Sequence, residues 1–190
     1  MKTLLITISL FIAISSCAKK EESDESGSSN QTNTSFGKFI SVGQTGTILT
    51  SSDGISWDNI SSGSTENPRA FAYGNKTLAI DGYSGTILTS NDAVTWTTRT
   101  SGTASKLASG VLGNNLIVSV GDNGTILTSS DAITWSSITP ITSKRLSGIA
   151  YGNSTYITVG NNGTFLSSND ASSWVCRTSG STKHFRRVFF

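Results

Sequence analysis

Trp57, Trp96, Trp135 and Trp174 stand 39 residues apart, and they are all the tryptophans of this chain. Gly46, Gly85, Gly124 and Gly163 keep the same interval, as do Asp53, Asp92, Asp131 and Asp170. Around them runs nearly the same wording: GQTGTILTSSDGISW at 43–57, GYSGTILTSNDAVTW at 82–96, GDNGTILTSSDAITW at 121–135 and GNNGTFLSSNDASSW at 160–174. An interval this strict marks one structural unit copied in tandem, each copy burying its apolar faces against the next.

The unit at 106–144 shows what is copied. The apolar LASGVL ends in Gly113-Asn114-Asn115, and the β-branched LIVSV ends in Gly121-Asp122-Asn123-Gly124. TILTSS then runs into Asp131-Ala132, and ITWSSI follows. Four runs of about five residues, separated by residues that tolerate positive φ, read as four strands joined by tight turns. No stretch sustains the 3.6-residue period of a helix. Four antiparallel strands in about 40 residues is the blade of a β-propeller, so the expected fold is all-β.

The first strand of the unit is NPRAFAY (67–73), KLASGVL (106–112) and RLSGIAY (145–151) in successive copies. One interval earlier lies the polar SSNQTNT (28–34), which cannot be a core strand; one interval later lies HFRRVFF (184–190), which can. The expectation is four blades, with 184–190 supplying the strand that the first blade lacks and closing the ring. The alternative is a fragment of a larger propeller.

The end of each copy, SxD[GA]x[ST]W, resembles the Asp-box, or BNR, repeat of propeller blades. The resemblance places Asp53, Asp92, Asp131 and Asp170 in the turn between third and fourth strands. There the carboxylate would accept backbone N–H groups with support from the Ser hydroxyl, and Trp57, Trp96, Trp135 and Trp174 would pack near the blade interface. The usual box has one more residue before the tryptophan and a fixed glycine; here Gly54 alone remains, and the other three Asp are followed by Ala. Similar repeats occur in sialidases, in the photosystem II stability and assembly factor family and in bacterial surface lipoproteins.

The N-terminus reads as an address. Lys2 precedes the apolar Leu4–Ile14, too short for the ~20 residues that span a bilayer, and Ile14-Ser15-Ser16-Cys17 resembles the lipobox of bacterial lipoproteins. The resemblance implies a signal peptide over 1–16, lipidation of Cys17 and a place in the bacterial cell envelope. Residues 18–35 lack any large apolar side chain and read as a flexible tether, leaving 36–190 for the propeller. With Cys17 lipidated, Cys176 has no partner within the chain and is expected to be a small packed residue.

Chemistry is sparse. From residue 36 onward there are 11 basic and 8 acidic residues, which gives no electrostatic argument for nucleic acid. His184 is the only histidine, so a catalytic triad or a His/Cys metal site lacks members. The four repeated aspartates fall on different blades, whereas calcium needs six or more converging oxygens. No metal or cofactor is expected, and no enzyme activity; a sialidase-like glycoside hydrolase is the alternative on fold analogy.

Departures from the repeat stand out more. Asp81 takes the place of Val42, Val120 and Val159, with Tyr83 in the adjoining turn. Arg69 and Arg186 stand where other copies have Ala108 and Ser147, and Arg187 follows. These five residues are the candidate site for a small anionic or polar ligand, with an Asp81–Arg pair as the plain structural alternative. The expected function is a non-enzymatic, lipid-anchored platform for protein or glycan, monomeric if the ring closes. A truncated or degenerate repeat product is the remaining alternative.

Overall fold

The computed structural model describes residues 37–190, Asn75 excepted. The expected leader, Cys17 and the tether through residue 35 lie outside the described residues. Fifteen short strands form four antiparallel sheets. The first sheet holds β1 (Phe39–Val42), β2 (Thr47–Ser51) and β3 (Asp58–Ser61). The second holds β4 (Pro68–Gly74), β5 (Thr77–Gly82), β6 (Ile87–Ser90) and β7 (Thr97–Arg99). The third holds β8 (Leu107–Gly113), β9 (Leu116–Gly121), β10 (Ile126–Ser129) and β11 (Ser136–Ile138). The fourth holds β12 (Leu146–Gly152), β13 (Thr155–Gly160), β14 (Phe165–Ser168) and β15 (Val175–Cys176). Within each sheet the strands pair in chain order. These are the meander blades of a β-propeller, one per 39-residue copy.

The core lies between blades rather than within one. Ile48, Ile80 and Leu88 join the first two sheets, with Trp96 packed against them. Ala72, Ile117 and Ala132 join the second and third, with Trp135 at their side. Val118, Ile126, Leu146, Tyr156 and Trp174 belong to the cluster between the third and fourth. Because the second and third sheets are each covered on both faces, their second and third strands read as apolar runs without alternation.

The first strands β4, β8 and β12 stand side by side, and each carries a bulge after its first residue. Small residues set the spacing: a Cβ on Gly74 would strike Leu112, and one on Gly113 would strike the Tyr151 ring. The outermost strands are shorter than the sequence predicts. Each tryptophan falls in the turn before them, and β11 begins only at Ser136. These strands are mostly solvent-facing and pair on one side alone, so little burial holds them in a ladder.

Residues 184–190 do lie in the place of a next first strand, along β12: a Cβ on Gly148 would meet the Arg186 and Arg187 backbone, and one on Gly152 the Phe190 ring. The ladder expected between this segment and β1 is not among the pairings of the described residues, and the first sheet has three strands. Cys176, expected to be packed, is exposed on the edge strand β15. Its strand is the last of its sheet, so no neighbour covers it.

Candidate functional site

The four Asp turns are built alike. Asp53 Oδ1 accepts the N–H groups of Ile55 and Ser56 at 2.8 and 2.9 Å, and the Ser51 hydroxyl at 3.0 Å. Asp92 receives Val94, Thr95 and Ser90; Asp131 receives Ile133, Thr134 and Ser129; Asp170 receives Ser172, Ser173 and Ser168. These donors favour the charged carboxylate and hold all four below the usual carboxylate range, Asp131 at about 2. Each Oδ1 is thus committed to its own loop. Trp135 and Trp174 add an indole bond to the carbonyls of Ala132 and Ala171.

The opposite end of the blades carries the turns between second and third strands and the loops entering each first strand. Here Asn67, Lys106, Arg145 and His184, which share one repeat position, each latch onto the turn of the blade before. Thr45 N–H donates to Asn67 Oδ1 at 2.7 Å between the first and second blades. Lys106 Nζ stands 3.7 Å from the Tyr83 ring centroid between the second and third. Arg145 Nε meets Asp122 Oδ1 at 3.3 Å between the third and fourth. His184 Nδ1 accepts the Asn162 N–H at 3.1 Å beyond the fourth.

The second latch differs from its siblings in gathering two cations around one phenol. Arg69 is the bulged residue of β4, and a bulge re-aims its side chain. Its guanidinium donates to Tyr83 Oη at 3.0 Å, with its carbon 5.6 Å from the ring centroid. Lys106 foremost, and Arg69 with it, hold the Tyr83 phenol below its ordinary range. Among the described residues neither cation forms an ion pair, whereas Arg145 is neutralised by Asp122. Glu66 lies on this rim but takes the Ser84 hydroxyl at 3.2 Å.

The other candidate residues separate. Asp81 is fully buried; Ser119 Oγ donates to its Oδ2, and its Oδ1 has no hydrogen-bond partner. Desolvation pushes its carboxyl up to about 7. No arginine reaches it, so the Asp81–Arg pair is not formed: the bulge turns Arg69 outward, while Gly110, with no side chain, leaves the carboxylate its room. Arg186 and Arg187 are exposed on the segment beside β12, and among the described residues neither forms a hydrogen bond or ion pair with Arg69. Arg187 instead borders a cavity of about 280 Å³ lined by first strands, among them Phe71, Ser109, Gly110, Ile149 and Tyr151. Lys106 and Ser119 were missed in sequence. Lys106 could have been found by the interval, since it shares its repeat position with Arg145 and His184.

No family model matches the chain, and no curated protein does. Solved propellers do. The structure of YCF48 bound to D1 peptide aligns at a TM-score of 0.63 and 14% identity, over 80% of this chain and 53% of the other. The computationally designed Ika8 protein aligns at 0.66 and 14%, over 80% and 49%. Virginiamycin B lyase from Staphylococcus aureus aligns at 0.63 and 12%, over 70% and 49%. At these identities the likeness is one of fold, and this chain spans about half the length of these three.

Proposed function

We propose that this protein is a non-catalytic binding platform, tethered to a bacterial envelope membrane through lipid on Cys17, and that it takes a carboxylate-bearing peptide segment at the rim formed by Arg69, Tyr83 and Lys106. One observation carries the reading: two unpaired cations share a single aromatic ring at a latch where the next blade satisfies its cation with Asp122. A planar guanidinium already fixed by Tyr83 presents its remaining donors to a carboxylate with less ordering to do. A sugar would want the aromatic face, and Lys106 stands over it. The neighbour that holds a peptide supports the platform reading at the level of fold. The four Asp turns, which we read as shortened Asp-boxes, are scaffolding, since their carboxylates are spent on backbone donors.

The test for binding is an array of acidic and neutral peptides probed with the full chain. Acidic peptides should be retained in a salt-sensitive way, and Arg69→Ala with Lys106→Ala should abolish retention. Retention that survives both substitutions would place the site elsewhere. The tether is tested by metabolic labelling with a fatty acid, which Cys17→Ala should eliminate.

A further inference from the structure

The two ends of the blades carry opposite charge, and the repeat is the cause. One end holds the four Asp turns, against Lys38 and Lys76. At the other, the loops entering the first strands bring Lys106, Lys144 and Arg145, and the β4 bulge brings Arg69. The acids on that rim are already engaged: Glu66 takes the Ser84 hydroxyl, and Asp122 pairs with Arg145. Among the described residues Arg69, Lys106 and Lys144 form no ion pair.

An inventory of the chain's carboxylates points to what fits there. The chain has 12 acidic residues. Asp53, Asp92, Asp131 and Asp170 hold their own turns, and Asp81 is buried against Ser119. Asp58 opens the outer strand β3 at the Asp-turn end. With Glu66 and Asp122 engaged, those that remain are Glu21, Glu22, Asp24 and Glu25, a single run that lies outside the described residues.

That run is attached where it can reach the rim. β1 runs from Phe39 toward the Gly43–Thr47 turn, which belongs to the cationic end. Residues before Phe39 therefore join the fold at the Asp-turn end, where Phe39 stands beside Gly54. From Glu25 to Phe39 an extended chain covers up to about 45 Å. A strand the length of β5 is about 20 Å long, and packed sheets lie about 10 Å apart. The rim beside Tyr83 and Lys106, one to two blades on, falls within that span.

We propose that the acidic run Glu21–Glu25 docks on the cationic rim of its own chain, across Arg69, Lys106 and Lys144, and competes there with an incoming carboxylate ligand. The inference rests on the reading of that rim as an anion site. Exposed ion pairs contribute little singly. On a short tether they act at an effective concentration near the millimolar range, so several weak pairs together occupy the rim. Lys19 and Lys20 precede the run, on the side of Cys17. With lipid on Cys17, a docked run turns the rim toward the membrane, and a ligand richer in carboxylates displaces the run and frees the rim.

Two measurements on the full chain in mild detergent test this. Carbodiimide coupling, which joins a carboxylate to an amine in contact with it, should link residues 21–25 to Lys106 or Lys144 within monomer-mass protein. Peptide mass spectrometry reads the link, and high salt should suppress it. Links to Lys19, Lys20 or Lys38 alone, or rim links confined to dimer-mass protein, would overturn the contact. The second measurement combines Glu21→Gln, Glu22→Gln, Asp24→Asn and Glu25→Gln, all outside the propeller strands. Fluorescent pentaglutamate should bind this variant several-fold more tightly than the wild-type chain at low salt, and the two affinities should converge as salt rises. Equal affinities at low salt would overturn the docked run and leave the rim as a peptide site. A rim link in a chain that takes no pentaglutamate, with or without its acidic run, would uphold the docked run and count against the rim as a site for added peptide.

Discussion

The first blade and the three after it use the same turn and surround it differently. Asp53 holds its loop with the same three bonds as Asp92, Asp131 and Asp170. The residue that follows has positive φ in every copy: 74° at Gly54, and 61°, 61° and 58° at Ala93, Ala132 and Ala171. An alanine there costs about 1–2 kcal/mol. In blades two to four its methyl is fully buried beside the preceding blade, which offsets about 0.8 kcal/mol of that cost. In the first blade, with no described blade before it, the position is exposed and is glycine. The turn is therefore a local device, and the burial of its flank depends on a neighbour.

That contrast can be tested by substitution, and the largest effect belongs to the tryptophans. Trp174→Ala should cost about 3–5 kcal/mol in denaturant unfolding. Trp57→Ala, measured at dilution where the chain is single, should cost about 1 kcal/mol or less. Equal costs would show that the first blade's flank is covered within one chain.

Asp81 extends the comparison to the second strands, where the other three blades carry valine. A carboxyl raised to about 7 favours folding below the unfolded value near 4, and that contribution is lost as pH rises through 7. Asp81→Val should remove this dependence and raise stability at pH 8 by roughly 1–3 kcal/mol, through loss of a buried unpaired oxygen. An unchanged pH profile of unfolding would contradict the burial. The turn aspartates act in the opposite sense. Asp131, held at about 2, contributes stability above pH 4 that fades as pH falls toward 2, and Asp131→Asn should flatten the acid limb of a thermal-melt series.

Smaller effects sharpen the alanine argument. Gly54→Ala should destabilise by about 1 kcal/mol, since the new methyl would gain only ordinary contact with Phe39. Ala93→Gly should be nearly neutral, strain relief cancelling lost packing. The smallest effect is Cys176→Ser, within about 0.5 kcal/mol, while Cys176 itself should react with a thiol reagent without denaturant.

The unit, the strand order within it and the Asp turn follow from local residue order alone. Each of these is settled over a few residues: turn residues that tolerate positive φ, apolar runs between them, and a carboxylate that reaches N–H groups two and three positions on. First strands read as 67–73, 106–112 and 145–151 fall within one residue of β4, β8 and β12. Contacts between neighbouring blades follow instead from how the copies pack. Arg69 meets Lys106 around Tyr83 instead of Asp81, because a bulge aims it outward. Asp81 finds Ser119 of the next blade, 38 positions away. Cys176 lies open because its strand is an edge, and Arg186 and Arg187 ride on a segment set against β12. A repeat specifies each copy's hydrogen bonds within that copy, but which side chains share a boundary depends on how copies stack. That is why the departures were visible in the sequence and their partners were not.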